Sequence, residues 1–297
     1  MVFIDILLNI SIFLLMFTIG LSIILKDFKK IFKHPKKLFV GLSSQIIILP
    51  LIAFLLLEFT NFPPEIKIGI LILMICPGGS TSNFITYLIK GNTPLSVSLT
   101  TINTLISFIS IPLLVGLFFK YYLVTNTEFE FPFVKTILNL SLIVIVPILI
   151  GTWIESKDKI KAKKIERFSK IISISLLAIV FSIKIFGGSG ITNQEILSIL
   201  PFLLLIHIIA LFFGFFNSKI FKIKNKSAIT IGVEVGLQNT GLALLVTSAI
   251  LKNPLITMPV LVYAMFSFFT TLMFGMAMKK FLTKEKIRKE VELYEPL

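Results

Sequence analysis

Cys76-Pro77-Gly78-Gly79-Ser80-Thr81-Ser82-Asn83 lies at the centre of an apolar run from Ile66 to Lys90. A run of that length crosses the hydrocarbon core of a bilayer as one helix. Proline removes a backbone donor, and two glycines loosen the hydrogen-bond ladder around it. Backbone groups freed at membrane depth are tolerated only where they line a cavity or find partners. Ser80 to Asn83 are good N-caps for a second half-helix. The stretch therefore predicts a helix broken in mid-membrane. Its second half offers free N–H groups and a positive dipole end, which suit an anion. A proline kink would account for Pro77 alone, but not for eight successive residues of this kind.

A second stretch has the same character: Glu234-Val235-Gly236-Leu237-Gln238-Asn239-Thr240-Gly241. Glu234 is the only acid well inside a predicted span. A carboxylate at that depth costs several kcal/mol unless it is paired or metal-bound. No lysine or arginine falls at similar depth, so a bound cation is its natural partner. The competing explanation is a protonated glutamate in a hydrogen-bond network. Paired interrupted helices of opposite direction point to inverted repeats with a site at their crossing, the plan of a secondary transporter.

The rest of the chain agrees with a membrane setting. Its 297 residues are 56% hydrophobic with a mean hydropathy of +0.97, too little polar surface for a soluble domain. Nine spans are expected, near 2–25, 38–58, 66–89, 94–119, 133–154, 165–187, 196–217, 226–250 and 255–280. On this reading, 1–297 is a single transmembrane transporter domain. A first repeat covers about 1–120, a second about 132–281, and 282–297 forms a cytoplasmic tail. Lysines crowd every second connection: Lys26 to Lys37, Lys157 to Lys170, Lys219 to Lys226, and the tail. The positive-inside rule then puts the N-terminus outside and the C-terminus in the cytoplasm of a cell (inner) membrane, as an odd span count also requires. The stretch Lys157 to Lys170 is read as a loop joining two halves. The net charge of +14 is explained by these loops, so no nucleic-acid partner is inferred. One cysteine excludes an intramolecular disulfide and a thiolate metal cluster. No cleavable signal peptide is expected, because Asp5 interrupts the first apolar run and no basic segment precedes it.

The fourth predicted span carries Ser96, Thr100, Asn103, Thr104 and Ser107 on one helical face. Such a stripe serves equally as helix-packing glue or as neutral oxygen donors for sodium, and Gln45 in the second span has the same two readings. Cys76 is expected to be a packed small residue and His207 a hydrogen-bonded structural one. No GxSxG, HExxH or paired intramembrane aspartates occur, so an enzyme is not expected.

At the two interrupted stretches the sequence resembles the bile acid:sodium symporter family. The likeness continues through Tyr87-Leu88, Gly91-Asn92 and Leu95-Ser96-Val97, and includes Phe32-Lys33-His34-Pro35-Lys36. It implies an all-α polytopic membrane protein with inverted repeats, core and panel domains, and two discontinuous crossing helices. Bacterial relatives often have ten helices; the expectation here is nine, without the first, as in the nine-helix animal members. The resemblance implies two sodium ions as coupling ions and no other cofactor. Sodium site 1 would use Ser82, Asn83, Ser96, Thr100 and Glu234. Sodium site 2 would use Gln45, Glu234, Gln238 and the carbonyls of Val235 and Leu237. A small organic anion (bile-acid-like, pantothenate-like or a keto acid) would meet Ser80, Thr81, Asn239 and Thr240. The expected partners are that anion, Na+ and the lipid bilayer, with no obligate protein partner. The expected activity is sodium-coupled import by alternating access. The alternative is a proton-coupled or exporting organic anion carrier on the same fold. One departure bears on the substrate: some bacterial relatives carry a His-Asn pair in the last helix, where this chain reads Phe266-Ser267-Phe268-Phe269-Thr270-Thr271.

Overall fold

The structure, a computed structural model, describes residues 2–22, 35–123, 141–186 and 193–294. Among them every named element is helical, and strand-like pairing is limited to one antiparallel bridge between Gly78 and Gln238. Most of the first predicted connection, the stretch 124–140 and the residues 187–192 lie outside the described residues, as does part of the fifth predicted span.

The helices in chain order are α1 (Val2–Ser22), α2 (Pro35–Glu58), α3 (Pro64–Ile75), α4 (Ser80–Leu88) and α5 (Thr93–Leu123). A π-helical turn Ser141–Ile145 leads into α6 (Val146–Lys157), followed by α7 (Lys159–Phe186) and α8 (Asn193–Ile220). Then come α9 (Asn225–Gly236), α10 (Thr240–Leu244) with a π-helical turn Leu245–Ile250, and α11 (Pro254–Tyr294). Pro35–Glu58, Gln194–Ile220 and Pro254–Leu282 are each long and apolar enough to cross a membrane. Thr93–Leu123 joins them if taken as one span bent by 55° after Ser107. Pro112 explains that bend, since its ring clashes with the carbonyl four residues earlier. Separately, α3 and α4 are too short to cross; together they match the predicted third span.

One expectation is corrected. The basic stretch 157–170 is not a loop. Only Asp158 interrupts the helix, and its carboxylate caps α7 by accepting from Ile160 N at 3.0 Å and Lys161 N at 2.9 Å. The stretch from 282, expected as the cytoplasmic tail, continues α11 as a helix to Tyr294.

The helices pack in two groups. In one, α1 lies against α6 and α7. Gly20 and Gly151 let α1 and α6 backbones touch: a Cβ on Gly151 would lie 2.5 Å from Phe17 O. In the other, α9 lies between α8, α11 and α5, while α3 packs against α11 and α5. The turn between α4 and α5 is tied to α9, since Asn92 Nδ2 donates to Ser227 Oγ at 3.0 Å and Asn92 N to Thr230 Oγ1 at 2.9 Å. These bonds fix the second group around the two helix breaks.

Candidate cation and substrate site

Each break is dictated by local chemistry. Pro77 disfavours the helical region at Cys76, whose ψ of 145° ends α3 in an extended conformation. Gly79 is also extended, and α4 begins at Ser80. In the second break Leu237 is extended, and Asn239 caps α10 by accepting from Leu242 N at 3.0 Å. The two extended segments run antiparallel, with Gly78 opposite Gln238 and Asn239 N donating to Pro77 O at 2.8 Å. The broken helices therefore cross by sharing backbone hydrogen bonds.

Glu234 lies at that crossing with no exposed surface. Its Oε1 accepts from Ser82 Oγ at 2.8 Å and from Ser96 Oγ; its Oε2 accepts from Thr100 Oγ1 at 2.9 Å. Asn83 Oδ1 closes the group, 2.7 Å from Ser96 Oγ and 3.3 Å from Thr100 Oγ1. Ser82 Oγ also lies 2.7 Å from Gly79 O. Ser82 and Thr100 thus each face two acceptor oxygens, and Ser96 faces a third in Thr86 Oγ1 at 3.3 Å, yet each hydroxyl has a single proton to give. The cluster holds more than twice as many such contacts as hydroxyl protons to fill them. A Cβ on Gly78 would sit 2.5 Å from Glu234 Oε2, so the chain passes the carboxylate only because that residue lacks a side chain.

Beside this cluster, Gln45 Nε2 donates to Glu234 O at 3.0 Å and Gln238 Nε2 to Val235 O at 2.7 Å. A carbonyl oxygen only accepts, so both amides are fixed with their nitrogens on the backbone. Their own Oε1 atoms are then buried without a partner. Gln45 is carried on a π-helical turn, Ser44–Ile48, which re-aims the side chains of α2 towards α9.

The structure thus brings Ser82, Asn83, Ser96, Thr100 and Glu234 together, and Gln45 and Gln238 around the last turn of α9. The hydroxyl stripe of α5 divides. Ser96 and Thr100 reach Glu234, whereas Ser107 Oγ bonds Thr104 O at 2.8 Å within its own helix. Thr104 Oγ1 and Asn103 Nδ2 are buried without partners. The residues expected to meet the anion are more scattered. Ser80 lines a cavity of about 740 Å³ shared with Asn83, Phe84 and residues of α1 and α7. Thr81 is exposed, and Thr240 is half-buried. Asn239 is buried, with its Nδ2 unpartnered.

Sequence reasoning missed one part of the site. Gly236, the last residue of α9, has its carbonyl held by His207 Nδ1 at 3.2 Å and by the Tyr263 hydroxyl. Because that carbonyl only accepts, Nδ1 carries the imidazole proton, and Nε2 accepts from the Thr270 hydroxyl at 2.8 Å. His207 is therefore hydrogen-bonded structure, as expected, but the structure it serves is the helix break. A tyrosine in mid-span was the available signal for its partner Tyr263.

An all-helical bundle whose two broken helices cross at a buried carboxylate defines a multi-pass membrane transporter. The profile of the Sodium Bile acid symporter family matches residues 9–225, and the chain belongs to that family of sodium-dependent transporters. The match ends before α9 completes, so the roles of Glu234 and Gln238 rest on geometry. A Bacillus subtilis relative, the sodium-dependent transporter YocS, is 33% identical over 242 residues, 81% of this chain and 74% of its own length. Human ileal sodium/bile acid cotransporter is 30% identical over 240 residues, 79% of this chain and 67% of its own. The probable sodium/metabolite cotransporter BASS1 of Arabidopsis thaliana chloroplasts is 29% identical over 244 residues, 82% of this chain and 59% of its own.

Proposed function

We propose that the chain is a sodium-coupled symporter that imports a small organic anion by alternating access. The observation carrying this reading is the shortage of protons around Glu234. Three hydroxyls, an amide oxygen and a carboxylate crowd together with too few hydrogens to bind one another, and a small hard cation satisfies such oxygens at once. Ser82, Asn83, Ser96, Thr100 and Glu234 would hold the first sodium ion. The orphaned Oε1 atoms of Gln45 and Gln238, with Glu234 and the carbonyls of Val235 and Leu237, would hold a second. Glu234 would bridge the two, its charge offsetting theirs.

Both ions would bind where the two broken helices share hydrogen bonds, so they would lock the crossing and fix the start of α4. The anion would follow, against Ser80, Thr81, Asn239 and Thr240. The group α1, α6 and α7 would then rock as a panel against the remaining helices as a core. The two repeats, about 1–120 and 132–281, would supply the opposed orientations this needs. The chain would sit in the cell (inner) membrane with its N-terminus outside and its C-terminus cytoplasmic. There each net charge carried inward gains about 2.3 kcal/mol per 100 mV.

The rival reading is proton coupling, in which Glu234 takes up a hydrogen that the cluster lacks. Uptake by proteoliposomes in sodium against choline, each at two pH values, separates them. Sodium-dependent accumulation lost in Glu234→Gln supports the proposal. Sodium-insensitive uptake that follows the pH gradient would contradict it.

A further inference from the structure

The 740 Å³ cavity has two unlike walls. On the side of α4 and α5 its polar residues are neutral, among them Ser80 and Asn83. On the side of α7 it is lined by Lys159, Lys163, Arg167 and Lys170, spaced four, four and three residues apart and therefore on one helical face. Two carboxylates line the same cavity, and both are engaged. Glu166 Oε1 accepts from Ser22 Oγ at 2.8 Å, and Glu155 Oε1 lies 3.9 Å from Lys159 Nζ. Among the described residues no carboxylate lies within ion-pair distance of Lys163, Arg167 or Lys170.

Topology explains cations at the cytoplasmic start of α7, but less well the position of Lys170. It lies eleven residues beyond Lys159, about 16 Å along the helix axis. It is half-buried, and its ammonium sits 5.4 Å from the ring centre of Phe84, the residue after Asn83. A ring face is a weak partner that leaves the ammonium's donors available. Apolar surface from Ile19 and Val97 lines the same cavity.

Resting on the anion-symport reading, we propose that Lys170 is the counter-charge for the substrate's anionic head, with Arg167 one turn away as its second donor. The substrate class is a carboxylate on an apolar body. Its head lies between Lys170 and Ser80, and its body lies against Ile19, Phe84 and Val97. A head held there joins α7 to α4, one helix from each packing group, so a bound anion ties together the parts that must move.

The test uses the full-length protein in proteoliposomes, with radiolabelled cholate, pantothenate and pyruvate as probes. Lys170→Met should raise the KM of the transported acid about tenfold or more, as expected for a lost charge-assisted hydrogen bond, with the sodium half-saturation unchanged. Lys170→Arg should restore KM to within about threefold, and Arg167→Gln should show a smaller rise. Unchanged KM in Lys170→Met, with transport still sodium-dependent and abolished by Glu234→Gln, overturns this inference and spares the sodium reading. Acid transport that needs Lys170 but ignores sodium supports the inference and overturns the coupling. Uptake of none of the three acids, with sodium binding intact, overturns the inference alone.

Discussion

The break between α3 and α4 and the break between α9 and α10 meet at one point but are held differently. At the end of α9 each of the last four carbonyls has a partner. Val233 O accepts from Leu237 N at 3.0 Å, Glu234 O from Gln45, Val235 O from Gln238, and Gly236 O from His207 and Tyr263. Three of those side chains come from other helices, α2, α8 and α11. Among the described residues, no side chain donates to the end of α3. That break rests on the bridge to Gln238 and on Ser82 bonding Gly79 O. The second break is thus a braced oxygen cluster, and the first is a lightly held N-terminus facing the cavity. A site that selects a cation needs its oxygens fixed in advance, whereas a site that follows an alternating wall needs freedom. On the proposed reading, the braced end of α9 would anchor both ions, and α4 would bring Ser82 and Asn83 to the first of them while its start meets the anion.

Removing the shared carboxylate should have the largest effect. Glu234→Gln is expected to reduce sodium-dependent uptake about a hundredfold or more, since it takes away the charge that offsets the ions. Uptake within about threefold of wild type would break the comparison.

Gly78→Ala probes the lightly held side at its closest approach. Its Cβ would push on Glu234 Oε2. The sodium half-saturation should rise about tenfold in the same uptake assay.

Gln45→Ala and Gln238→Ala should each raise the sodium half-saturation about tenfold and lower the steepness of the sodium dependence, because on the proposed reading only the second ion would use them. A weakened response of undiminished steepness would mean that both amides are structural.

Tyr263→Phe is the mildest test of the bracing. It removes one neutral donor to Gly236 O, worth about 1 kcal/mol, or about fivefold in sodium affinity. An effect on the anion KM alone would sever the link between the brace and the ion.

The breaks were legible in the sequence because proline, paired glycines and an intramembrane acid have costs that no ordinary span would accept. The neighbours of Glu234 were legible in part. Ser96 and Thr100 stood out as a face of α5, but spacing did not separate them from Asn103, Thr104 and Ser107, which share that face and miss the carboxylate; only the family resemblance singled them out. The brace was hidden because His207 and Tyr263 lie 56 residues apart and meet only in three dimensions. The charged wall was hidden for another reason. Lysines at helical spacing beside a cavity look, in one dimension, like a cytoplasmic loop, and Asp158 alone marks the true start of α7.

Equilibrium binding of radioactive sodium to the purified protein in detergent, wild type against Glu234→Gln, tests the central claim most directly. The account predicts saturable binding approaching two ions per chain in the wild type and none in the variant. Equal sodium binding by both proteins, or wild-type binding of a proton in place of sodium, would contradict it.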